Sequence, residues 1–198
     1  MNILKALANI AVILVFGLFA IASYRKFAET GSLESIGLMA VNTLFVCMYV
    51  LRRDANSIST APGEWLLAFA GTMLPMLMRP IEASGLTVVG NAVQMLGMWL
   101  IVAAVLSLQR SFGIVPANRG IRHGGLYRII RHPLYAAELL TLLGFVLTSP
   151  SARNVLVWVV LCGLQFLRAR AEENFLSADA MYRAYRDRVR YRLIPGLI

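Results

Sequence analysis

The run from Leu86 to Leu108 holds 23 residues without one charged side chain. As a helix it is long enough to cross a hydrocarbon core of about 30 Å. In lipid such a stretch must satisfy its own backbone hydrogen bonds, which leaves helices or closed barrels as solutions. Ile3 to Tyr24 is a second run of spanning length. It is not expected to be a cleaved leader, because further apolar runs follow it rather than a cleavage site and a soluble part. Four shorter runs follow the same pattern: Ile36 to Leu51, Trp65 to Met78, Leu134 to Thr148 and Val155 to Leu167. Composition agrees, since 59% hydrophobic and 15% charged residues lie outside the range of soluble domains. The expected fold is an all-α integral membrane protein. It has four N-terminal transmembrane helices within residues 1–108, then a transmembrane helical hairpin and an amphipathic tail within residues 109–198.

Charge fixes how such helices are oriented. The net charge is +9, yet the basic residues cluster at the ends of apolar runs. Anionic headgroups and positive-inside topology account for them better than nucleic acid, which is not expected as a partner. One side would collect Lys5, Arg52, Arg53, five arginines of the connection from Gln109 to Arg131 and seven of the tail from Arg168, making 15; the other collects Arg25, Lys26, Arg79 and Arg153, making 4. The first side is expected to be cytoplasmic and to hold both termini, in a cell or inner membrane. The tail is expected to form a surface helix from Arg168 with an extended end at Pro195. Cys47 and Cys162 lie inside apolar runs and make no metal or redox spacing, so no metal site is expected.

The connection ends in a polar corner, Arg131-His132-Pro133. Proline at a first helical position loses no hydrogen bond, so Pro133 is expected to open a helix whose start faces Arg131 and His132 and, beside a cation, suits an anion. Ser149-Pro150-Ser151 reads as the tip of the hairpin. If the arms fold back there, Arg131 and His132 come opposite Arg170 to Glu172, so the corner and the Glu172-Glu173 pair meet at one membrane mouth. Cation and anion partners in one pocket suit a zwitterionic ligand. At a wet mouth, losing a surface ion pair from Glu172, Glu173 or His132 is expected to cost about 0 to 1 kcal/mol of stability.

The order Gly125-x-Tyr127, Arg131-His132-Pro133-x-Tyr135, a hairpin, Glu172-Glu173-x-x-Leu176, Tyr182-x-x-Tyr185 and Arg192-Leu-Ile-Pro195 resembles the isoprenylcysteine carboxyl methyltransferase family. That family is a membrane group related to the phospholipid N-methyltransferases. The resemblance spans about Leu108 to Pro195. It implies an enzyme that transfers a methyl group from S-adenosylmethionine to a lipid-like or small hydrophobic, amphiphilic acceptor within the membrane lipid. It also implies cofactor contacts from Gly125, Tyr127, Arg131, His132, Pro133, Tyr135, Glu172, Glu173 and Tyr185, with Tyr182 beside Tyr185 as a lid or an interfacial anchor. The glutamates suit the donor's ammonium and ribose hydroxyls, and the Arg-His corner suits its carboxylate. No catalytic base is assigned.

Two other readings stand beside it. One is a sterol-reductase-like enzyme using NADPH, which would need a longer chain with more spans. The other is a non-catalytic membrane protein whose Arg/Glu mouth binds anionic lipid or a partner. The chain also departs from its relatives, which commonly carry Gly where it has Ala137, followed here by Glu138. By hairpin arithmetic Glu138 lies near Leu164, Gln165 and Arg168, so it either pairs there or contacts the acceptor.

Overall fold

The computed structural model describes residues 3–81 and 86–197, with side chains from residue 9 onward; Lys5 of the charge count lies outside the described side chains. Among the described residues seven α-helices carry the fold: α1 (Ile3–Thr30), α2 (Leu33–Leu51), α3 (Pro62–Met73), α4 (Thr87–Leu108), α5 (Pro133–Thr148), α6 (Ala152–Leu176) and α7 (Ala180–Arg188). Among the described residues, four segments are long and apolar enough to cross a membrane: Asn9–Thr30, Leu33–Leu51, Thr87–Ser111 and Ala152–Leu176. The chain is thus a mostly helical integral membrane protein.

Local sequence sets the boundaries. Ser32 caps α2 by accepting the Ser35 N–H, so that helix starts ahead of its expected first residue, Ile36. The third apolar run behaves differently from expectation. Its α-helix stops at Met73, after 12 residues, and tightens into a 3-10 turn over Leu74–Leu77, because Pro75 has no N–H to continue the ladder. Among the described residues the N-terminal part therefore supplies three helices of spanning length rather than four. The hairpin tip falls where expected: Ser151 caps α6, and the Asn154 amide donates to the Ser149 carbonyl at 2.7 Å. α6 runs on through Arg168, Arg170 and both glutamates to Leu176, so the surface tail begins at Ser177 rather than Arg168.

Helices α4 and α5 pack backbone to backbone. A Cβ on Gly144 would lie 2.4 Å from the Gln94 nitrogen, and one on Gly97 would lie 2.6 Å from that of Thr141. Small residues permit such approach in lipid, where burial of apolar surface gives little drive. Between α1, α2 and the end of α4, Phe45 packs edge-on to Phe16 at 4.9 Å and stacks on Phe112 at 5.2 Å.

The polar connections gather at one end of the bundle. Ser57–Ile58 (β1) pairs antiparallel with Ala117–Asn118 (β2), the Arg53 N–H donates to the Arg110 carbonyl at 2.8 Å, and Asn118 donates to Asp179 at 2.8 Å. Arg52 reaches Asn9, on the first turns of α1. At the opposite end Asn154 exchanges two hydrogen bonds with the backbone of Arg79. The loops and tail of the 15-charge count therefore share one face.

Candidate functional site

His132 caps α5 and Pro133 occupies its first turn. Across the hairpin, the two neighbouring glutamates of α6 divide their work. Glu173 is only 4% exposed. Its Oε1 accepts from Arg131 Nε at 2.7 Å and Arg192 Nε at 3.0 Å and lies 3.1 Å from His132 Nε2, while its Oε2 accepts from Arg192 Nη2 at 2.7 Å. Glu172 keeps a more open side chain, 30% exposed, and accepts the Tyr135 hydroxyl at 2.9 Å. His132 stacks on Tyr135, ring centroids 5.4 Å apart.

The tail is drawn into this corner as a strap. The Arg131 and His132 N–H groups donate to the carbonyls of Tyr191 and Arg192, each at 2.9 Å. The Arg131 guanidinium donates to the carbonyls of Val189 and Arg190. Tyr185 donates its hydroxyl to the Tyr127 carbonyl at 2.9 Å. The burial of Glu173 and His132 overturns the expectation of a wet mouth with weak surface pairs, because breaking one partner of a buried ion cluster leaves the others uncompensated.

Two chambers meet at this corner. A polar pocket of about 60 Å³ is lined by Arg119, Tyr127, Arg131, His132, Glu172 and Tyr182, among others. Two buried donors on its wall, the Tyr182 hydroxyl and Arg119 Nε, have no hydrogen-bond partner among the described residues. Burial and the neighbouring Arg52 hold the Arg119 guanidinium below its usual pKa. Burial raises the pKa of the Tyr182 and Tyr185 hydroxyls, so both stay protonated at neutral pH. The second chamber, about 190 Å³, is apolar and lies between the helices, with Phe16, Phe45, Phe112, Leu134, Tyr135 and Glu138 on its wall. The Tyr135–Glu172 hydrogen bond joins the walls of the two chambers.

A model of the phospholipid methyltransferase family matches residues 79–184, more than half of the chain. The chain belongs to the phospholipid methyltransferase family. No curated protein matches it. The matched segment of this family member takes in α4, the connection, both hairpin arms and the start of α7, so it covers nearly the whole corner but stops short of Tyr185 and Arg192. The family assigns a methyl-transferring enzyme to the membrane, in line with the resemblance carried by the Arg-His-Pro and Glu-Glu motifs.

Of the residues singled out in the sequence, Tyr127, Arg131, His132, Glu172, Tyr182 and Tyr185 line the methyltransferase's polar pocket. Tyr135 lines the apolar chamber. Gly125 has φ +55°, and a Cβ there would lie 2.1 Å from the Ser107 hydroxyl, so it seats the connection on α4. Pro133 is buried at the start of α5, and Glu173 is taken up by Arg131, Arg192 and His132. Arg119 and Arg192 were given no site role in the sequence reading. Arg192 is 19 residues from Glu173 across a turn, and Arg119 sits in an irregular connection, so neither follows from helical spacing. The one available signal for Arg192 was its place in the Arg-Leu-Ile-Pro motif.

Proposed function

We propose that this chain methylates a lipid-like or small hydrophobic acceptor with S-adenosylmethionine as donor. The observation that carries the reading is the pair of chambers, one polar and one apolar, joined at Tyr135 and Glu172. A polar, zwitterionic donor and an apolar acceptor need such separate surroundings with a shared wall. When bound, the donor supplies a sulfonium-activated methyl group.

The residues fit that group chemically. The unpartnered Arg119 Nε and Tyr182 hydroxyl offer donors for a carboxylate or for ribose oxygens, and Glu172 offers an acceptor for an ammonium or hydroxyls. Arg131 and His132 reach the pocket while Glu173 holds them from behind, so Glu173 acts as a positioning residue. Glycine at 125 and proline at 133 act through the backbone, setting the entry of the connection and the start of α5. A pocket of about 60 Å³ is small beside the roughly 300 Å³ or more typical of nucleoside-sized ligands, so part of its wall must shift to admit one.

Methyl transfer in one step needs alignment and exclusion of water more than proton chemistry. Tyr135 and His132, buried and stacked, form the dry wall at which alignment would occur. The shared face of loops and tail, with its excess of Arg, is read as cytoplasmic. Titrating S-adenosylhomocysteine into purified protein, and following a labelled methyl group into native membrane lipids, tests the assignment. Folded protein that binds no S-adenosylhomocysteine and labels no lipid would overturn it.

A further inference from the structure

Two charged side chains on the wall of the apolar chamber, Glu138 and Arg168, take no part in lining the polar pocket. Glu138, one turn beyond Tyr135 on α5, stands on the wall of the 190 Å³ chamber. Its Oε2 accepts from Gln165 Nε2 at 2.6 Å. Gln165 is 2% exposed, and its own oxygen accepts from Arg168 Nη1 at 3.0 Å. That second bond settles which end of the amide faces Glu138. Arg168 is held in turn by the Ile114 carbonyl at 3.3 Å and the Tyr135 ring at 4.8 Å. It lies so close over Gly71 that a Cβ there would come 2.8 Å from its Cδ. Arg168, Gln165 and Glu138 thus form a fixed relay from α6 to α5. Among the described residues no donor reaches the other oxygen, Oε1.

With the Arg168 guanidinium taken up by Gln165, the Ile114 carbonyl and the Tyr135 ring, the Glu138 carboxylate is the charged group of this wall with an oxygen left to share, which favours a ligand that brings a hydrogen-bond donor and disfavours one that brings a second negative charge. We propose that Glu138 is the polar anchor of this chamber. The chamber then takes a compact apolar molecule carrying a hydroxyl, amine or thiol hydrogen and rejects carboxylates. Size supports compactness, since an apolar cavity of about 150 Å³ holds benzene, and the stacked Phe45 and Phe112 rings offer an aromatic wall. The inference deepens the methyltransferase reading, which makes the occupant the methyl acceptor.

The test is direct binding to the full chain in detergent, using benzyl alcohol, benzylamine, benzyl mercaptan and benzoate as a size-matched series, with S-adenosylhomocysteine titrated separately. A hydrogen bond to a charged group predicts that the three donors bind about ten- to hundredfold more tightly than benzoate. In Glu138→Gln that preference should shrink to within about threefold, while Glu138→Asp retains part of it and S-adenosylhomocysteine binding stays at the parent's level. Benzoate binding as tightly as benzyl alcohol, no binding by any of the four, or an unchanged preference in Glu138→Gln would each overturn the proposal. If Glu138→Gln fails to fold, the parent's own preference still decides. Because the series is read by binding rather than turnover, a parent that sorts the probes yet ignores S-adenosylhomocysteine would sink the methyltransferase reading and leave the anchor standing.

Discussion

Arg192 and Glu173 meet as a two-pronged pair, Nε to Oε1 at 3.0 Å and Nη2 to Oε2 at 2.7 Å, which ties the end of the tail to the last turns of α6. Arg131 and His132 share the same carboxylate. Removing the charge leaves two guanidinium groups and a histidine facing a neutral amide in a buried corner. Glu173→Gln should therefore lower stability by about 3 to 5 kcal/mol, read as unfolding of the purified protein in detergent. A loss below about 1 kcal/mol would mean that water reaches this corner.

Tyr182 separates stability from binding in the opposite way. Its buried hydroxyl has no partner among the described residues, so Tyr182→Phe should change stability by no more than about 0.5 kcal/mol. If the hydroxyl serves the donor, affinity for S-adenosylhomocysteine should fall about two- to tenfold. Calorimetry showing parent-like affinity would return Tyr182 to a purely packing role.

The same tyrosines predict how stability responds to alkali. Burial is the largest cause holding the Tyr127, Tyr182 and Tyr185 hydroxyls above the ordinary phenol range of about 10. Each folded-state pKa is raised, so the stabilisation is fully present below pH about 10. It is lost as pH rises further, because the unfolded chain releases these protons first. Unfolding measured between pH 8 and 11 should show this decline, and it should be shallower in Tyr182→Phe. An equal slope in the variant would show that Tyr182 ionises as freely folded as unfolded.

Packing of α4 on α5 tolerates no side chain at its contact points. A Cβ at Gly144 would lie 2.4 Å from backbone of α4, so Gly144→Val should cost more than the roughly 1 to 3 kcal/mol of ordinary overpacking. Gly163, with nothing within 4 Å, is the control. Gly163→Ala should be neutral or slightly stabilising, since alanine outranks glycine inside helices. Thermal unfolding of the two variants, compared side by side, checks both statements.

Topology gives a test that needs no ligand. Asn118 and Asp179 are hydrogen-bonded, so cysteines at Asn118 and Asp187 should be labelled from the same side of the membrane, the cytoplasm by the charge excess. A cysteine at Arg153 should be labelled from the other. Labelling of positions 118 and 187 from opposite sides would refute the arrangement.

The helical membrane class, the hairpin about Ser151, the opening of α5 at Pro133 and the convergence of His132 with the Glu172-Glu173 pair were all legible in the residues. Each rests on a local rule: apolar length, a proline at a helix start, a serine cap, or the fold-back of two adjoining arms. Even the pairing of Glu138 with Gln165 followed from counting along those arms. Tertiary structure decided what local rules do not reach. Adjacent glutamates look alike in sequence, yet the 100° turn between neighbouring helical residues sends Glu173 into a buried cluster and leaves Glu172 facing the pocket. The third apolar run reads as a span until Pro75 breaks its ladder. The backbone contact of α4 with α5 depends on each helix setting a glycine against the other's backbone, Gly97 at Thr141 and Gly144 at Gln94. The strap behind the Arg131–His132 corner, Arg192 on Glu173 and tail carbonyls on Arg131, joins segments whose spacing follows no repeat, so only the folded chain could bring them together.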